Sequence, residues 1–220
     1  MAERTKKQPA ERDLPHLPGA AEDLVTSTRA ALLDGDALED VRFADIDLSD
    51  ERVDSITMSG VILERVSFAN CEISSLRLRD VRFVGCDLSN AVIRNLDATR
   101  VEFLNCRLVG LVANASRLQS VLFNTCNARF AQFSESRLRH CEFRSTHLGD
   151  SVLTRAELAE TRLTETILRL ADLTGIRFDA LDLRNCEIEG LQLRIEDLRG
   201  ARVTAAQAID LARLMGVVID

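Results

Sequence analysis

A chain of 220 residues with 46% hydrophobic residues can bury a substantial core, yet it contains no Trp, no Tyr and only nine Phe. An enzyme of this size commonly fills an irregular core and lines a pocket with aromatic rings, so this composition favours a core of small repeated layers. The net charge of -7 argues against a nucleic-acid-binding protein, because such proteins carry a basic face.

Residues 1–21 are predicted to form a flexible tail, since they hold all three prolines and both lysines of the chain. They lack the apolar run of a signal peptide, and no later stretch is long and apolar enough to span a membrane. We therefore expect a cytoplasmic protein that does not bind membranes. In that compartment the six cysteines stay reduced and pack as small apolar residues.

Residues 22–40 are predicted to form an N-terminal capping helix and a linker. The string EDLVTSTRAALL, residues 22–33, places apolar side chains at helical spacing, and Gly35 follows where a helix would end.

Residues 41–205 divide into thirty-three consecutive blocks of five without an insertion or deletion. The third slot of each block is apolar in nearly every case, and the first slot is small or apolar and holds all six cysteines. The fifth slot is rich in Gly and Asn, which tolerate the left-handed turn conformation. Each block is therefore predicted to be a short extended piece followed by a turn. An outward residue such as Arg100 is expected to matter little for stability.

A second period of 20 residues runs through these blocks. It aligns Phe43, Phe83, Phe103, Phe123 and Phe143 in third slots, and it also aligns Cys86, Cys106, Cys126 and Cys186 in first slots. Four blocks per coil would stack like side chains on one another with few voids. The repeats then form about eight coils.

The blocks CDLSN, ADLTG, LDLRN and AELAE resemble the pentapeptide-repeat family, whose pattern is A(D/N)LXX. The resemblance implies an all-β fold, a right-handed quadrilateral β-helix of about eight coils with first and third slots pointing inward. Short N- and C-terminal helices complete the expected architecture.

Residues 206–220 are predicted to form a C-terminal helix. Thr204 and Gln207 match a capping box, and one apolar face is formed by Ala208, Leu211, Ala212 and Met215. Two interpretations stay open. The helix caps the open end of the solenoid, or it joins two copies end to end, as the C-terminal region does in several relatives that act on topoisomerases.

No catalytic, cofactor-binding or metal-binding residue is predicted, and an enzyme is not expected. The cysteine ladder lacks the close CxxC pairs and histidines of a metal site, so we interpret it as buried thiols. The three histidines, His16, His140 and His147, occupy a tail, a turn and an outward slot, and a solenoid with convex faces offers no cleft.

Two surface features remain as candidate interaction sites. Acidic residues crowd the first coil, at Asp45, Asp47, Asp50, Glu51 and Asp54, either as a solvated end that discourages stacking or as a docking end for a basic partner. Outward apolar residues cluster at Val92, Val109, Val112, Phe130 and Val152, either as isolated exposed side chains or as an interface.

The predicted function is that of a non-catalytic protein-interaction module with an unknown protein partner, no cofactor and no direct nucleic-acid binding. Homodimerisation through the C-terminal helix is a further hypothesis. The alternative, implied by the family resemblance, is a DNA-mimicking modulator of DNA gyrase or topoisomerase that confers resistance to quinolones or topoisomerase toxins. The repeats carry 24 acidic residues against 22 arginines, and this balance weakens the mimicry hypothesis.

Overall fold

The computed structural model describes residues 12–17, 25–26, 29–33, 37–214 and 216–218. The strands are β1 Val25–Thr26, β2 Ala37–Glu39, β3 Val41–Ala44, β4 Arg52–Ser59, β5 Ile62–Glu64, β6 Glu72–Val84, β7 Val92–Ile93, β8 Leu96–Leu104, β9 Arg117–Gln119, β10 Leu122–Asn124, β11 Arg137–Arg139, β12 Glu142–Arg144, β13 Glu157–Ala159, β14 Arg162–Thr164 and β15 Arg177–Phe178. The helices are α1 Arg29–Leu33, a 3-10 helix Ile195–Leu198 and α2 Ala205–Leu214.

Neighbouring coils pair in parallel with a register of 20 residues, as in Phe83↔Phe103 and Leu138↔Leu158. The predicted four-block coil is therefore confirmed, and the strands wind into a parallel β-solenoid of about seven turns. We name the four sides in the order in which the chain visits them. The first face contains residues 41–44 and every equivalent position 20 residues on, and the second, third and fourth faces begin at 46, 51 and 56.

The core of the solenoid is formed by first-slot and third-slot side chains, as predicted. Phenylalanine rings stack beneath the first face, with centroids 4.7 Å apart for Phe83–Phe103, 5.0 Å for Phe103–Phe123 and 4.7 Å for Phe123–Phe143. Parallel strands bring identical rings one above the other, and this is an offset-stacked separation at which aromatic pairs attract. The 20-residue period thus becomes an aromatic column from Phe83 to Phe143, and Leu63 separates Phe43 from it.

Most fifth-slot residues hold the left-handed conformation that the turn requires, for example Asn90 with φ 56° and Gly110 with φ 68°. The corner between the third and fourth faces departs from this rule in the first coils. Ser55 and Ser75 lie inside the continuous strands β4 and β6. The prediction of a turn at every fifth residue is wrong at these two positions, where the chain passes the corner in an extended conformation.

The N-terminal boundary differs from the prediction. Val25–Thr26 is a strand that pairs with Val41 and Arg42, so the helix is limited to Arg29–Leu33 within the described residues. The solenoid begins earlier than residue 41, because β2 already pairs with β4 in the 20-residue register. Leu32 of α1 is buried against the first coil and closes the core there.

Residues 12–17, which fall in the predicted flexible tail, lie against the solenoid. The Arg12 guanidinium donates to Glu102 over 2.6 Å, and the His16 backbone amide donates to Asp80 over 2.8 Å. This part of the predicted tail is therefore held by two carboxylates of the coils, and the remaining residues of the tail lie outside the described part of the chain.

The repeat pattern breaks in the last coil, where Ile195–Leu198 forms a 3-10 helix in place of a block. Asp197, in a second slot, turns inward and accepts hydrogen bonds from Arg194 and from the Gly175 amide. The Arg194 guanidinium lowers the pKa of Asp197 to about 2. A buried carboxylate thus anchors the irregular turn.

The C-terminal helix α2 begins with the predicted capping box. The Thr204 amide donates to Gln207 Oε1 over 2.9 Å, and the Gln207 amide donates to Thr204 Oγ1 over 3.2 Å. The Gln207 side chain also donates to the carbonyls of Leu183 and Cys186. These two carbonyls belong to the end of the solenoid, so the helix satisfies backbone groups that an open end would leave unpaired.

Only part of the predicted apolar face of α2 packs against the solenoid. Leu211 is buried and Ala212 is half-buried, whereas Ala208 is exposed and Met215 lies outside the described residues. The buried side of the helix is formed by Gln207 and Leu211, one helical turn apart. Gln207, whose side chain donates to two carbonyls, therefore occupies the buried position that the sequence assigned to Ala208.

Candidate functional site

The apolar patch, as we call Val92, Val109, Val112, Phe130 and Val152, lies along one side of the solenoid. Backbone bridges link Val92 to Val112, Val112 to Gln132 and Gln132 to Val152 on successive coils of the third face. The three valines of this ladder are half-buried, and Val109 lies half-buried on the adjoining edge of the second face. The structure therefore places the predicted residues along one side of the solenoid, with the exposed Gln132 between Val112 and Val152.

Phe130 stands at the corner between the second and third faces and is 48% exposed. The guanidinium of Arg129 lies over its ring, 4.8 Å from the centroid, and also bonds Asp150 of the next coil over 2.8 Å. The ring thus has an ordered cationic neighbour. Aromatic and arginine side chains in this combination are typical of the energetic centre of protein interfaces.

Leu170 is a second exposed apolar residue on this corner, two coils beyond Phe130, and the sequence reasoning missed it. It is 55% exposed, and its Cδ2 atom covers Gly190, where a Cβ would lie only 2.6 Å from it. Phe130 and Leu170 adopt φ 60° and 58°, a conformation that bulky side chains rarely take. The signal was present in the sequence as an apolar residue in a fifth slot.

The acidic end is distributed around the first coil instead of forming one surface. Asp45 and Asp50 stand at two different corners, with Asp47 on the face between them and Asp54 on the next face. Two of its carboxylates are neutralised, Asp45 by Arg65 at 2.6 Å and Glu51 by Arg29. The hydrogen bond from Arg65 lowers the pKa of Asp45 below its ordinary value. A concentrated acidic docking site is not brought together.

On the first face, five arginines pair with carboxylates: Arg42 with Glu64, Arg82 with Glu102, Arg144 with Glu142, and Arg184 and Arg202 with Asp182. Glu102 is 5% exposed and receives both Arg12 and Arg82, at 2.6 and 2.8 Å. Glu102 occupies a second slot, which the sequence predicts to point outward, and so do the buried residues Ile62 and Leu122. Apolar residues in outward slots were the available sign that this face is covered.

Asp80, at the corner between the fourth and first faces, is 7% exposed. Burial raises the pKa of Asp80. The hydrogen bonds from Arg100, at 2.6 and 2.7 Å, and from the His16 amide lower it by more, so the pKa lies below its ordinary value. Arg100 is thus the partner of a buried carboxylate. The expectation that Arg100 matters little for stability does not hold, because removing it would leave Asp80 buried without its cation.

The arginines of the fourth face differ from those of the first face, because most of them have no carboxylate partner among the described residues. Arg77, Arg79, Arg117 and Arg139 are exposed, and within the described part of the chain none of them forms an ion pair or a side-chain hydrogen bond. Arg137 and Arg177 share Glu157, at 3.3 and 3.2 Å. The whole-chain charge of -7 hid this basic surface, which only the 20-residue alignment of Arg77, Arg117, Arg137 and Arg177 indicates.

The cysteine ladder is buried, and all six cysteines are free. Cys126 donates its thiol to the carbonyl of Phe103, and burial raises the pKa of Cys141 to about 12. Among the described residues, no three His, Cys, Asp or Glu side chains converge as metal ligands would. Within the same ranges, no helix is long and apolar enough to cross a membrane.

A family model described as a pentapeptide repeat region matches residues 76–153. No curated protein matches the chain. Among solved structures, full-length QnrB1, described as a plasmid-mediated fluoroquinolone resistance protein, is 21% identical over 88% of this chain and 95% of that chain, with a TM-score of 0.37. HetL, involved in heterocyst differentiation regulation in the cyanobacterium Nostoc sp. strain PCC 7120, is 16% identical over 76% and 85%, with the same TM-score of 0.37. Likenesses this low transfer no partner or activity to this chain.

Proposed function

Because residues 76–153 are a pentapeptide-repeat region whose 20-residue register continues through the flanking coils, we propose that the chain is a non-catalytic solenoid that binds a protein partner. The apolar patch is the binding surface, with Phe130 at its centre. The supporting observation is the exposure of Phe130 and Leu170 on one corner beside a ladder of half-buried valines.

The energetic argument rests on the position of these side chains. A bulky apolar residue in a left-handed turn costs conformational energy, and its exposure to water adds a second cost. On the same corner Asn90 and Gly110 make the same turn with less strain. A partner that covers Phe130 would recover the cost of exposure, about 1.5 to 3 kcal/mol for a fully buried ring. Arg129 would add a cation near that centre.

The alternative function, a DNA-mimicking modulator of DNA gyrase or topoisomerase, requires a continuous acidic track. The first face neutralises its carboxylates with arginines, the fourth face is basic, and the acidic end is spread over several sides. This distribution does not favour the alternative, because a mimic competes through many uncompensated negative charges.

The test is a double variant, Val112→Asp with Phe130→Asp. We expect the melting temperature to stay nearly unchanged, because Phe130 is largely exposed and Val112 is half-buried. Self-association, measured by sedimentation velocity, and the set of proteins captured from the native host should both decrease relative to the wild type.

The matched control is Thr125→Asp with Thr57→Asp. These residues occupy the same fifth and second slots and introduce the same charge, but Thr125 lies at the corner between the first and second faces and Thr57 on the fourth face. If the control variant loses the same association as the patch variant, added charge is responsible and the apolar patch is not the binding surface.

A further inference from the structure

The fourth face is a parallel sheet formed by β2, the last part of β4, parts of β6 and β8, and β9, β11, β13 and β15. Its outward ladder reads Arg77, Asp97, Arg117, Arg137, Glu157 and Arg177 in register. A parallel second ladder contains Arg79 and Arg139. Six arginines therefore face solvent on this side, against four carboxylates, Asp97 and Glu157 in the first ladder and Glu39 and Asp179 at the ends of the second.

These charges are not balanced within the described residues. Arg117 and Arg137 lie directly opposite each other on adjacent coils, at a strand separation of about 4.8 Å. Like charges that face each other across strands destabilise a sheet, so this arrangement opposes folding. The chain has ample carboxylates to place beside these arginines, since acidic residues outnumber basic ones by 35 to 28. A face with excess positive charge in an acidic protein indicates a surface that binds another molecule.

The shape of this surface suits carboxylate groups. A groove of about 500 Å³ runs along the edge of the face. It is lined by Arg117, which forms no ion pair within the described residues, and by Arg137, Arg155 and Arg177, which pair with Glu157 or Glu135. Guanidinium groups bind carboxylates through two parallel hydrogen bonds, and several of them on one rigid sheet are pre-organised for an extended acidic chain.

A nucleic acid fits this surface less well. Single-stranded nucleic acids are bound by aromatic platforms, and the chain has no Trp and no Tyr, while the one aromatic residue of these strands, Phe178, is an inward third-slot residue. Asp97 and Glu157 interrupt the arginine ladder and would repel a uniformly charged phosphate backbone. A protein segment can place its own basic or neutral residues opposite these two positions.

We propose that the fourth face binds an acidic, extended segment of a partner protein, held by Arg77, Arg79, Arg117 and Arg139. This surface is separate from the apolar patch, and its test does not depend on the result obtained there. Because the whole protein carries a charge of -7, long-range electrostatic repulsion opposes the binding of an acidic peptide, and only a local basic surface supports it.

The experiment uses the full chain and a fluorescent peptide of about ten residues with alternating Glu and Ser, long enough to cross the six coils from Arg77 to Arg177. Binding is measured by anisotropy from low to physiological salt, and a single-stranded oligonucleotide of equal charge is measured in parallel. We expect the peptide to bind more tightly than the oligonucleotide and to weaken with salt.

The variant Arg117→Glu with Arg139→Glu should weaken peptide binding by about tenfold or more, since it replaces two attractive charges by two repulsive ones. The control, Arg52→Glu with Arg169→Glu, makes the same charge change on the third and second faces, and it should weaken binding by less than about twofold. Absence of peptide binding, an equal loss in the control, or tighter binding of the oligonucleotide would each overturn the proposal. Unchanged melting temperatures of both variants establish that the comparison concerns folded proteins.

Discussion

The first and fourth faces are built from the same repeat and both are rich in arginine, yet their charges are treated in opposite ways. On the first face Arg82 forms an ion pair with Glu102 on the next coil. On the fourth face Arg117 lies opposite another arginine, Arg137, on the next coil. In a solenoid of this register, the residue 20 positions along the chain is the neighbour on the next strand. The identity of that residue decides whether a charge is neutralised or displayed.

The two faces also differ in burial. Residues 12–17 lie over the first face and its corner with the fourth. Glu102 on the face is 5% exposed, Asp80 at the corner is 7% exposed, and both carboxylates receive a donor from that segment. The fourth-face arginines are exposed and keep their hydration. Charges on the first face therefore contribute to stability, and charges on the fourth face are available to a partner. The following predictions test this division, beginning with the core that lies beneath the first face.

Replacing Phe103 by Ala should cause the largest loss of stability. The ring is 4% exposed and stacks between Phe83 and Phe123, so its removal leaves a cavity in the aromatic column. We expect a loss of about 3 to 5 kcal/mol in the free energy of unfolding, measured by urea denaturation. Arg79→Ala, on the exposed fourth face, should stay within about 0.5 kcal/mol. Similar losses for both variants would contradict the assignment of slots to core and surface.

Glu102 and Glu157 form a matched pair, because each carboxylate is shared by two arginines. Glu102 binds Arg12 and Arg82 in a buried position, and Glu157 binds Arg137 and Arg177 in a largely solvated one. Glu102→Ala should cost about 3 kcal/mol, since it leaves Arg12, whose side chain is only 12% exposed, without its counter-charge. Glu157→Ala should cost less than about 1 kcal/mol, as is typical of surface ion pairs. Equal effects in urea denaturation would remove the distinction between the two faces.

The repeat made much of this architecture predictable. The five-residue and 20-residue periods predict the coil, the phenylalanine column and the buried thiols, because each depends on residues one coil apart. The position of residues 12–17 was not predictable, since their contacts with Glu102 and Asp80 span 90 and 64 residues and follow no period. The pairing of Arg100 was also missed, although Asp80 stands 20 positions before it. The slot of a residue predicts whether its side chain points toward the core or away from it. It does not predict that another segment of the chain lies over the outside of the solenoid.

The sequence predicted one of the two candidate surfaces and missed the other. The apolar patch follows from outward valines and Phe130 in the repeat, and its members lie together as expected. Leu170 was missed although it occupies the same fifth slot and the same 20-residue phase as Phe130. The basic fourth face was overlooked because the charge was summed over all four sides, and a sum of 24 acidic residues and 22 arginines conceals their arrangement.

The carboxylate of Asp80 predicts a dependence of stability on pH. Its folded pKa is depressed, so its contribution to stability is complete above the unfolded pKa of about 3.9 and is lost as the pH falls through the folded pKa. The difference in unfolding free energy between the wild type and Asp80→Asn should therefore be constant from about pH 7 to 5 and shrink below about pH 4. A difference that grows in acid would contradict the sign of the shift.

The smallest effect is expected in a supercoiling assay with purified DNA gyrase from the same host, with and without a quinolone. A DNA mimic acts through a track of uncompensated negative charge, and its effect fades steeply with salt. Here the first face pairs its carboxylates with arginines and the fourth face carries exposed arginines without ion pairs in the described residues, so neither side offers such a track. We expect little inhibition of supercoiling and little protection from the drug across a salt series. Inhibition by the wild type that weakens with salt would show that the acidic residues act together in spite of their neighbours. If Arg117→Glu with Arg139→Glu inhibits where the wild type does not, the arginines of the fourth face are what separate this solenoid from a mimic, since the variant differs from it only in the charge of that side.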